Sequence, residues 1–431
     1  MTTNDWVKKK LVDICTVEIG GTPARNTSAY WDTNGDSSNL WVSIKDLNQR
    51  IIYDTAEKIT DAGVRHSNAK LVKAGSILMS FKLTIGKVAF AGSALYTNEA
   101  IAALNSEEVD LNFLYYGLQQ WDLLADVDQA IKGATLNKQK IRNIEACLPA
   151  SKEEQAKIAE VLTAVDHTIA QTEALIAKYQ RIKTGLMQDL LTRGIDEDGR
   201  LRNPATHEFK DSPLGLIPQK WEVITLGEVV ANSRGTIQTG PFGSQLHAHE
   251  YTHEGIPVIM PQDMMEDGRI DFQQIARIPA NRANALKRHI VKANDVVFAR
   301  RGDLSRCVPI YQDDIGLCGT GCILVRVPAE TLSANWLAFI YRHHHCQRQI
   351  AARAVGSTMV NLNTQLLSDL IITRPNIEEQ RQISGIIENV NALIDAKTTH
   401  LNKLNKVKIG LMQDLLTGKV SVAPLLDGQQ E

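Results

Sequence analysis

The side chains with most chemical reach in this 431-residue chain are lysines and arginines gathered in matching places of its two halves. From Lys70 to Lys87 stand Lys70, Lys73, Lys82 and Lys87, with no acid among them. Phe272–Arg306 holds eight basic residues against Asp295 and Asp303. Lys132, Lys138, Lys140 and Arg142 follow in the first half, and Arg342, Arg348 and Arg353 in the second, again without acids. Lysine and arginine neutralise phosphates, while arginine, asparagine and glutamine form paired hydrogen bonds with purine edges in a major groove. Any single run reads equally as a solvated face, but recurrence in both halves favours a shared polyanionic ligand. Two glycine loops, Gly20-Gly21-Thr22-Pro23 and Gly240-Pro241-Phe242-Gly243-Ser244, are either ordinary turns or places where backbone comes close to a duplex.

Other chemistries lack their residues. Thr84-Ile85-Gly86-Lys87 ends like a phosphate-binding loop, but Phe81 stands where its first glycine belongs. No two prolines are adjacent, so the Pro-Pro motif of amino-methyltransferases is missing, and Gly319-Thr320-Gly321 is read as a turn. His343, His344, His345 and Cys346, with Cys318 and Cys322, invite a metal. Consecutive side chains on a helix diverge, however, so no metal site is expected. The six cysteines form no CxxC pair and suit reduced thiols. The start of the chain has no apolar signal region and no run of eighteen apolar residues occurs, so a cytoplasmic protein without a membrane span is expected.

The elements that would position the basic loops come from an internal duplication. GLMQDLLT occurs at Gly185–Thr192 and at Gly410–Thr417, an offset of 225 that also aligns Glu153-Glu154-Gln155 with Glu378-Glu379-Gln380. Apolar residues recur in steps of four and three at Ile158, Leu162, Val165, Ile169, Ile176, Tyr179, Leu186 and Leu190. The second copy repeats them at Ile383, Ile387, Val390, Ile394, Leu401, Leu404, Leu411 and Leu415. A 3.5-residue period keeps one seam towards a partner helix. Two such helices in one chain most simply pair with each other, each roughly 60 Å long at 1.5 Å per residue. Gly185 and Gly410 lie inside the pattern, where glycine marks a kink or a close crossing.

The segments before each helix also correspond. Trp6 and Leu11 match Trp221 and Leu226, Asp46 matches Asp263, Val72–Ser80 matches Val291–Ala299, and Leu136, Asn137 and Gln139 match Leu362, Asn363 and Gln365. Strands are predicted at Ser76–Met79, Lys87–Ala91, Asp295–Ala299 and Ile323–Val327, and helices at Asn112–Leu124 and Ala334–Ala352. The fold class is therefore α+β: two similar globular domains and two long helices packed as an antiparallel coiled coil with pseudo-twofold symmetry. With 43% hydrophobic and 22% charged residues and a net charge of −2, the composition is that of an ordered protein whose cationic sites are local.

Two diverged globular domains, each followed by a helix that opens with Glu-Glu-Gln and closes with GLMQDLLT, resemble the specificity subunit of Type I restriction-modification systems. GGTP followed by WVSIKDL, and GPFGS followed by PVIM, are similar to segments of that family's target recognition domains. The resemblance implies recognition domains at 1–149 and 219–375, spacer helices at 150–193 and 376–418, a linker at 194–218 and a tail at 419–431. It further implies a non-catalytic DNA-binding subunit in which each recognition domain reads half of a split asymmetric site, while the helices set the gap. Implied partners are double-stranded DNA, two modification subunits and restriction subunits. S-adenosylmethionine, ATP and magnesium would belong to those partners, and no cofactor or metal to this chain. Candidate DNA contacts are Thr22, Arg25, Lys45, Lys82 and Lys87 in the first domain, with Ser244, Gln245, Gln262, Arg300, Arg301 and Arg306 in the second. Candidate partner anchors are Leu186, Met187, Leu190, Leu411, Met412 and Leu415. The rival reading is a two-headed coiled-coil scaffold for protein partners that does not bind DNA.

Overall fold

The computed structural model describes residues 6–124, 136–313, 315–354 and 361–427; Lys132 of the basic run lies outside them. The chain divides into two compact units, one of residues 1–174 with 398–431 and the other of residues 175–397. Both divisions fall inside the long helices, Lys152–Arg193 and Ile377–Leu415.

In unit 1, the strand Trp6–Lys10 pairs antiparallel with Glu145–Pro149, which leads directly into the first long helix. A five-stranded sheet runs in the order Thr16–Ile19, Ile101–Asn105, Ile77–Ser80, Val88–Ala91, Ile51–Ile52. A second sheet sets Leu40–Val42 parallel to Leu95–Thr97. Unit 2 repeats this plan. Glu222–Thr225 pairs with Ile371–Arg374 just before the second long helix. Thr236–Thr239, Cys322–Arg326, Val296–Ala299 and Cys307–Pro309 form the first sheet in the same order, and Ile256–Ile259 runs parallel to Leu317–Cys318. All four strands predicted from apolar runs occur, shifted by at most one residue.

The helix seams are used within each unit. In unit 1, Ile158 and Leu162 of the first helix share a core with Met412 and Leu415 of the second. In unit 2, Leu190 and Leu191 share one with Ile383 and Ile387. Early residues of one helix thus meet late residues of the other in both units, so the pairing is antiparallel. Polar clamps reinforce it. Lys408 Nζ lies 2.7 Å from Asp166, which also holds Arg50 at 3.2 Å. In unit 2, Arg269 lies 3.0 Å from Asp395, and Lys183, the repeat counterpart of Lys408, sits among Arg342, Asp267, Asp395 and Arg269. A Cβ added at Gly185 or Gly410 would meet nothing within 4 Å, so neither glycine serves a close crossing.

Three expectations change. The helix expected at Asn112–Leu124 spans Leu111–Gln120 and ends at Trp121. Ala334–Ala352 is not one helix: Ala334–Arg342 ends at His343, whose ψ of 146° is extended, and His344–Ala354 begins anew. The break leaves Cys346 and Ile350 in the same core as Trp336 and Ile340. It also gathers the histidines that were expected to diverge. Their rings are 4.1 to 4.7 Å apart and their ligand nitrogens all lie within 4.8 Å of one another. His343 spends one nitrogen on Gln188 Oε1 at 3.1 Å. Burial, then the neighbouring imidazoles, hold its pKa down at about 4, and Arg348 adds a like charge beside His344 and His345.

All six cysteines are unpaired. Burial pushes the Cys307 thiol to about 11 and Cys15 and Cys346 to about 12, which keeps them protonated and unreactive at neutral pH. Among the described residues, no helix is long and apolar enough to cross a membrane.

Candidate nucleic-acid interface

In each unit four chain segments meet at one end of the sheets, tied by the same three backbone bonds. In unit 1, Gly20 N–H donates to Ile101 O, Asn98 N–H to Val42 O, and Phe81 N–H to Ala100 O. In unit 2, Gly240 N–H donates to Cys322 O, Gly319 N–H to Ile259 O, and Arg300 N–H to Gly321 O. These bonds collect the loop after the first sheet strand, the 3-10 turn after the parallel strand, a hairpin loop and the turn between two neighbouring strands. The 3-10 turns match in detail, since Asp46 accepts from Ser43 N–H and Asp263 from Met260 N–H, each at 2.8 Å. Burial nevertheless raises the Asp263 pKa.

The glycines serve this convergence, rather than an approach to a duplex. A Cβ on Gly20 would lie 2.1 Å from Thr97 O, on Gly21 2.4 Å from the Asn68 carbonyl carbon, and on Gly240 1.9 Å from Gly319 O. Only Gly243 faces open space in these two loops. The close approach anticipated from the sequence is therefore mainly backbone against the chain's own backbone.

Every DNA candidate lies on these segments. In unit 1, Thr22 donates to the Glu99 carboxylate. Arg25 pairs with Glu57, and its guanidinium carbon lies 3.9 Å from the ring centre of Trp31 and 4.8 Å from that of Trp41, so the side chain is held in place at the surface. Lys45 is exposed on its 3-10 turn, Lys82 leans over Phe81 at 5.5 Å, and Lys87 is exposed where the hairpin loop ends.

In unit 2, Gln262 occupies the turn position of Lys45 and is exposed, as are Ser244 and Arg301. Gln245 Oε1 accepts from Phe242 N–H at 3.2 Å and so braces its own loop. Arg300 lies 6.0 Å over exposed Phe242, and its Nε is buried without a hydrogen-bond partner among the described residues. Arg306 is committed internally, to Asp303 at 3.2 Å and Met264 O at 3.0 Å.

Three members of this surface carried no sequence signal. Glu99 is an exposed carboxylate whose pKa burial raises, but the hydrogen bonds from Thr22 and from its own backbone N–H, with the charges of Lys82 and Arg25, bring it below the ordinary value. Its counterpart Thr320 donates to Pro241 O at 3.0 Å. Leu83, 92% exposed, tips the unit 1 hairpin at φ 63°, where unit 2 has Gly302 at φ 75°. A bulky residue at positive φ is strained. Leu83 is the neighbour of Lys82 within the basic run, whereas Glu99 and Thr320 reach the basic loops only through pairing between distant strands.

The partner candidates divide. Leu190, 3% exposed, and Leu415, 5% exposed, are core residues of their own units, and Met412 is buried beside Leu415. Leu186, Met187 and Leu411 keep part of their surface open. The seam positions of Leu190 and Leu415 point them at the neighbouring helix, which explains their burial.

The family model described as the Type I restriction modification DNA specificity domain matches residues 3–181 and again residues 218–406. The MjaVIII specificity subunit of Methanocaldococcus jannaschii is 26% identical over 299 residues; the match takes in 67% of this chain and 65% of that protein's length. The EcoBI specificity subunit of Escherichia coli is 21% identical over 265 residues, spanning 60% of this chain and 53% of that one. The solved S subunit of a Type I restriction-modification system from M. genitalium shares the fold at a TM-score of 0.59 and 16% identity, with 96% of this chain and 97% of that chain covered. A chain solved for complex assembly and conformational transition of the type I R-M system gives a TM-score of 0.54 at 17% identity over 95% of this chain and 97% of that one. With two matched domains that together occupy most of its length, the chain belongs to the Type I restriction-modification DNA specificity family.

Proposed function

We propose that this chain is the DNA-reading, non-catalytic subunit of a Type I restriction-modification complex, each unit recognising one half of a split asymmetric site. The observation that carries the reading is the repeated convergence of four loops, with one backbone frame presenting different side chains in the two units. Lys45, Lys82, Lys87 and Arg301 are placed to neutralise phosphates and set register. Arg25, Gln262 and Arg300 are the planar side chains suited to base edges.

The long helices then act as the spacer that fixes the unread gap. Engagement of one half-site makes the second nearly intramolecular, provided the separation is right. Two modification subunits would supply S-adenosylmethionine chemistry on adenine. Restriction subunits would add ATP- and magnesium-dependent translocation and cleavage, and the assembly would work in the cytoplasm. Leu186, Met187 and Leu411 are the candidate anchors with open surface.

The test is co-expression with the modification subunit encoded beside it in a host lacking adenine methylation, then sequencing of methylated adenines. The expected result is a two-part motif with a fixed gap. Co-purifying subunits that yield no motif, together with no binding to duplex DNA even at low salt, would overturn the reading and leave the two-headed protein scaffold.

A further inference from the structure

We propose that Glu99 is a specificity-determining residue of unit 1, whose carboxylate accepts a hydrogen bond from the exocyclic amino group of one cytosine in the first half-site. This rests on the DNA-reading function above and names a contact within it. Glu99 sits in the turn between Leu95–Thr97 and Ile101–Asn105, held on both sides by the bonds from Asn98 and Phe81 that build the four-loop frame. Thr22 Oγ1 donates to one carboxylate oxygen, which fixes the side chain while leaving it exposed.

A carboxylate on a face of lysines and arginines is costly if that face meets only phosphates. It repels the backbone and cancels part of the charge of Lys82 and Arg25, both of which act on it. The frame itself does not need it. At the same position unit 2 has Thr320, which ties the turn to Pro241 with a neutral hydroxyl. What the carboxylate adds is an acceptor with no donor. In the major groove that matches an amino group, cytosine N4 being the usual partner of glutamate and aspartate. It also repels the guanine O6 and N7 acceptors that an exchanged G·C pair would present there.

The test uses the full chain co-expressed with the modification subunit, with methylated adenines sequenced for wild type, Glu99→Ala and Glu99→Gln. The wild-type motif is expected to contain a C·G pair in its first half. Glu99→Ala should relax that single position, lowering discrimination roughly tenfold, within the range a good base contact provides. Glu99→Gln, which can donate as well as accept, should move that position towards A·T. The second half and the gap should stay as they were, and the purified Glu99→Ala chain should bind random duplex more tightly.

Thr22→Val, which keeps the carboxylate but frees it, should relax the same position less, and serves if the Glu99 variants fold poorly. An unchanged motif, or methylation that falls evenly at every position, would overturn the assignment, because a merely structural role lowers occupancy without changing sequence preference. Relaxation at a wild-type A·T pair would overturn the cytosine in favour of adenine N6. A wild-type chain that yields no split motif removes the DNA-reading function itself, an outcome visible before any variant is made.

Discussion

The same three residues, Glu-Glu-Gln, open both long helices, yet they do different work in the two units. Their glutamine behaves alike. Gln155 Nε2 donates to Pro149 O and its Oε1 accepts from Asp110 N–H, while Gln380 Nε2 donates to Pro375 O and its Oε1 accepts from Ser333 N–H. Each glutamine thus pins the helix start to the preceding strand and to the N-terminus of a shorter helix. The second glutamate differs. Glu379 is buried, paired with Arg202, and accepts from Ile195 N–H at 3.0 Å and Trp221 Nε1 at 3.2 Å. Its counterpart Glu154 is half-buried at the helix surface, and the Nε1 of Trp6, the counterpart of Trp221, is buried without a hydrogen-bond partner among the described residues. Two copies of one motif have diverged into a buried charge network in unit 2 and a plain helix start in unit 1. Helix ends differ less, since Gly194 packs against Trp221 and Gly418 against Trp6.

The largest test of that contrast is Glu379→Ala. It strands Arg202 in a buried site and should cost unit 2 about 3–5 kcal/mol in denaturant unfolding, whereas Glu154→Ala should cost unit 1 less than about 1 kcal/mol. Equal losses would mean that the buried network adds nothing. Arg50 comes next. It bonds Tyr116, Asp166, Asn112 and Thr163 while largely covered, so Arg50→Ala should cost about 2–3 kcal/mol. Arg269→Ala, whose side chain is 58% exposed, should cost no more than about 1 kcal/mol. Trp221→Phe removes one donor to a charged group, for about 1–2 kcal/mol, and Trp6→Phe should be close to neutral by comparison.

Acid should separate the units as well. His289, 1% exposed, and His343 are held down at about 4 by burial, and then by Arg288 and by the adjacent histidines respectively. The ordinary histidine value is 6.5, so between pH 6.5 and 4 the unfolded chain takes up protons that folded unit 2 refuses. Stability of unit 2 therefore falls as pH drops through that window, and His289→Gln should flatten the slope in melts recorded across it. In unit 1 the histidines His66, His167 and His400 lie at the surface. The smallest effect concerns the matched turns. Lys45→Ala should reduce the salt dependence of DNA binding by about one counterion in the log–log slope, whereas Gln262→Ala should leave that slope unchanged.

How much was legible follows from where each signal lies. The duplicated octapeptide and the step of four and three are local patterns, and they set both long helices and their antiparallel pairing. The strand runs are equally local. The helix break at His343 was not legible: no proline or glycine announces it, and Trp336, Ile340, Cys346 and Ile350 would share one face of a continuous helix as well. Nor were Glu99 and Thr320, single residues whose equivalence shows only when Gly20 and Gly240 are seen bonding the same strand end.

By itself, then, the sequence determined the repeat, the two helix seams, the α+β units and the basic character of their loops, because periodicity and local charge are written residue by residue. Only the tertiary structure decided which loops meet, why the glycines are there, which heptad leucines are spent inside a core, and that a carboxylate stands among the cations. Those outcomes depend on contacts between segments tens of residues apart, and such contacts are set by the packing of the whole unit.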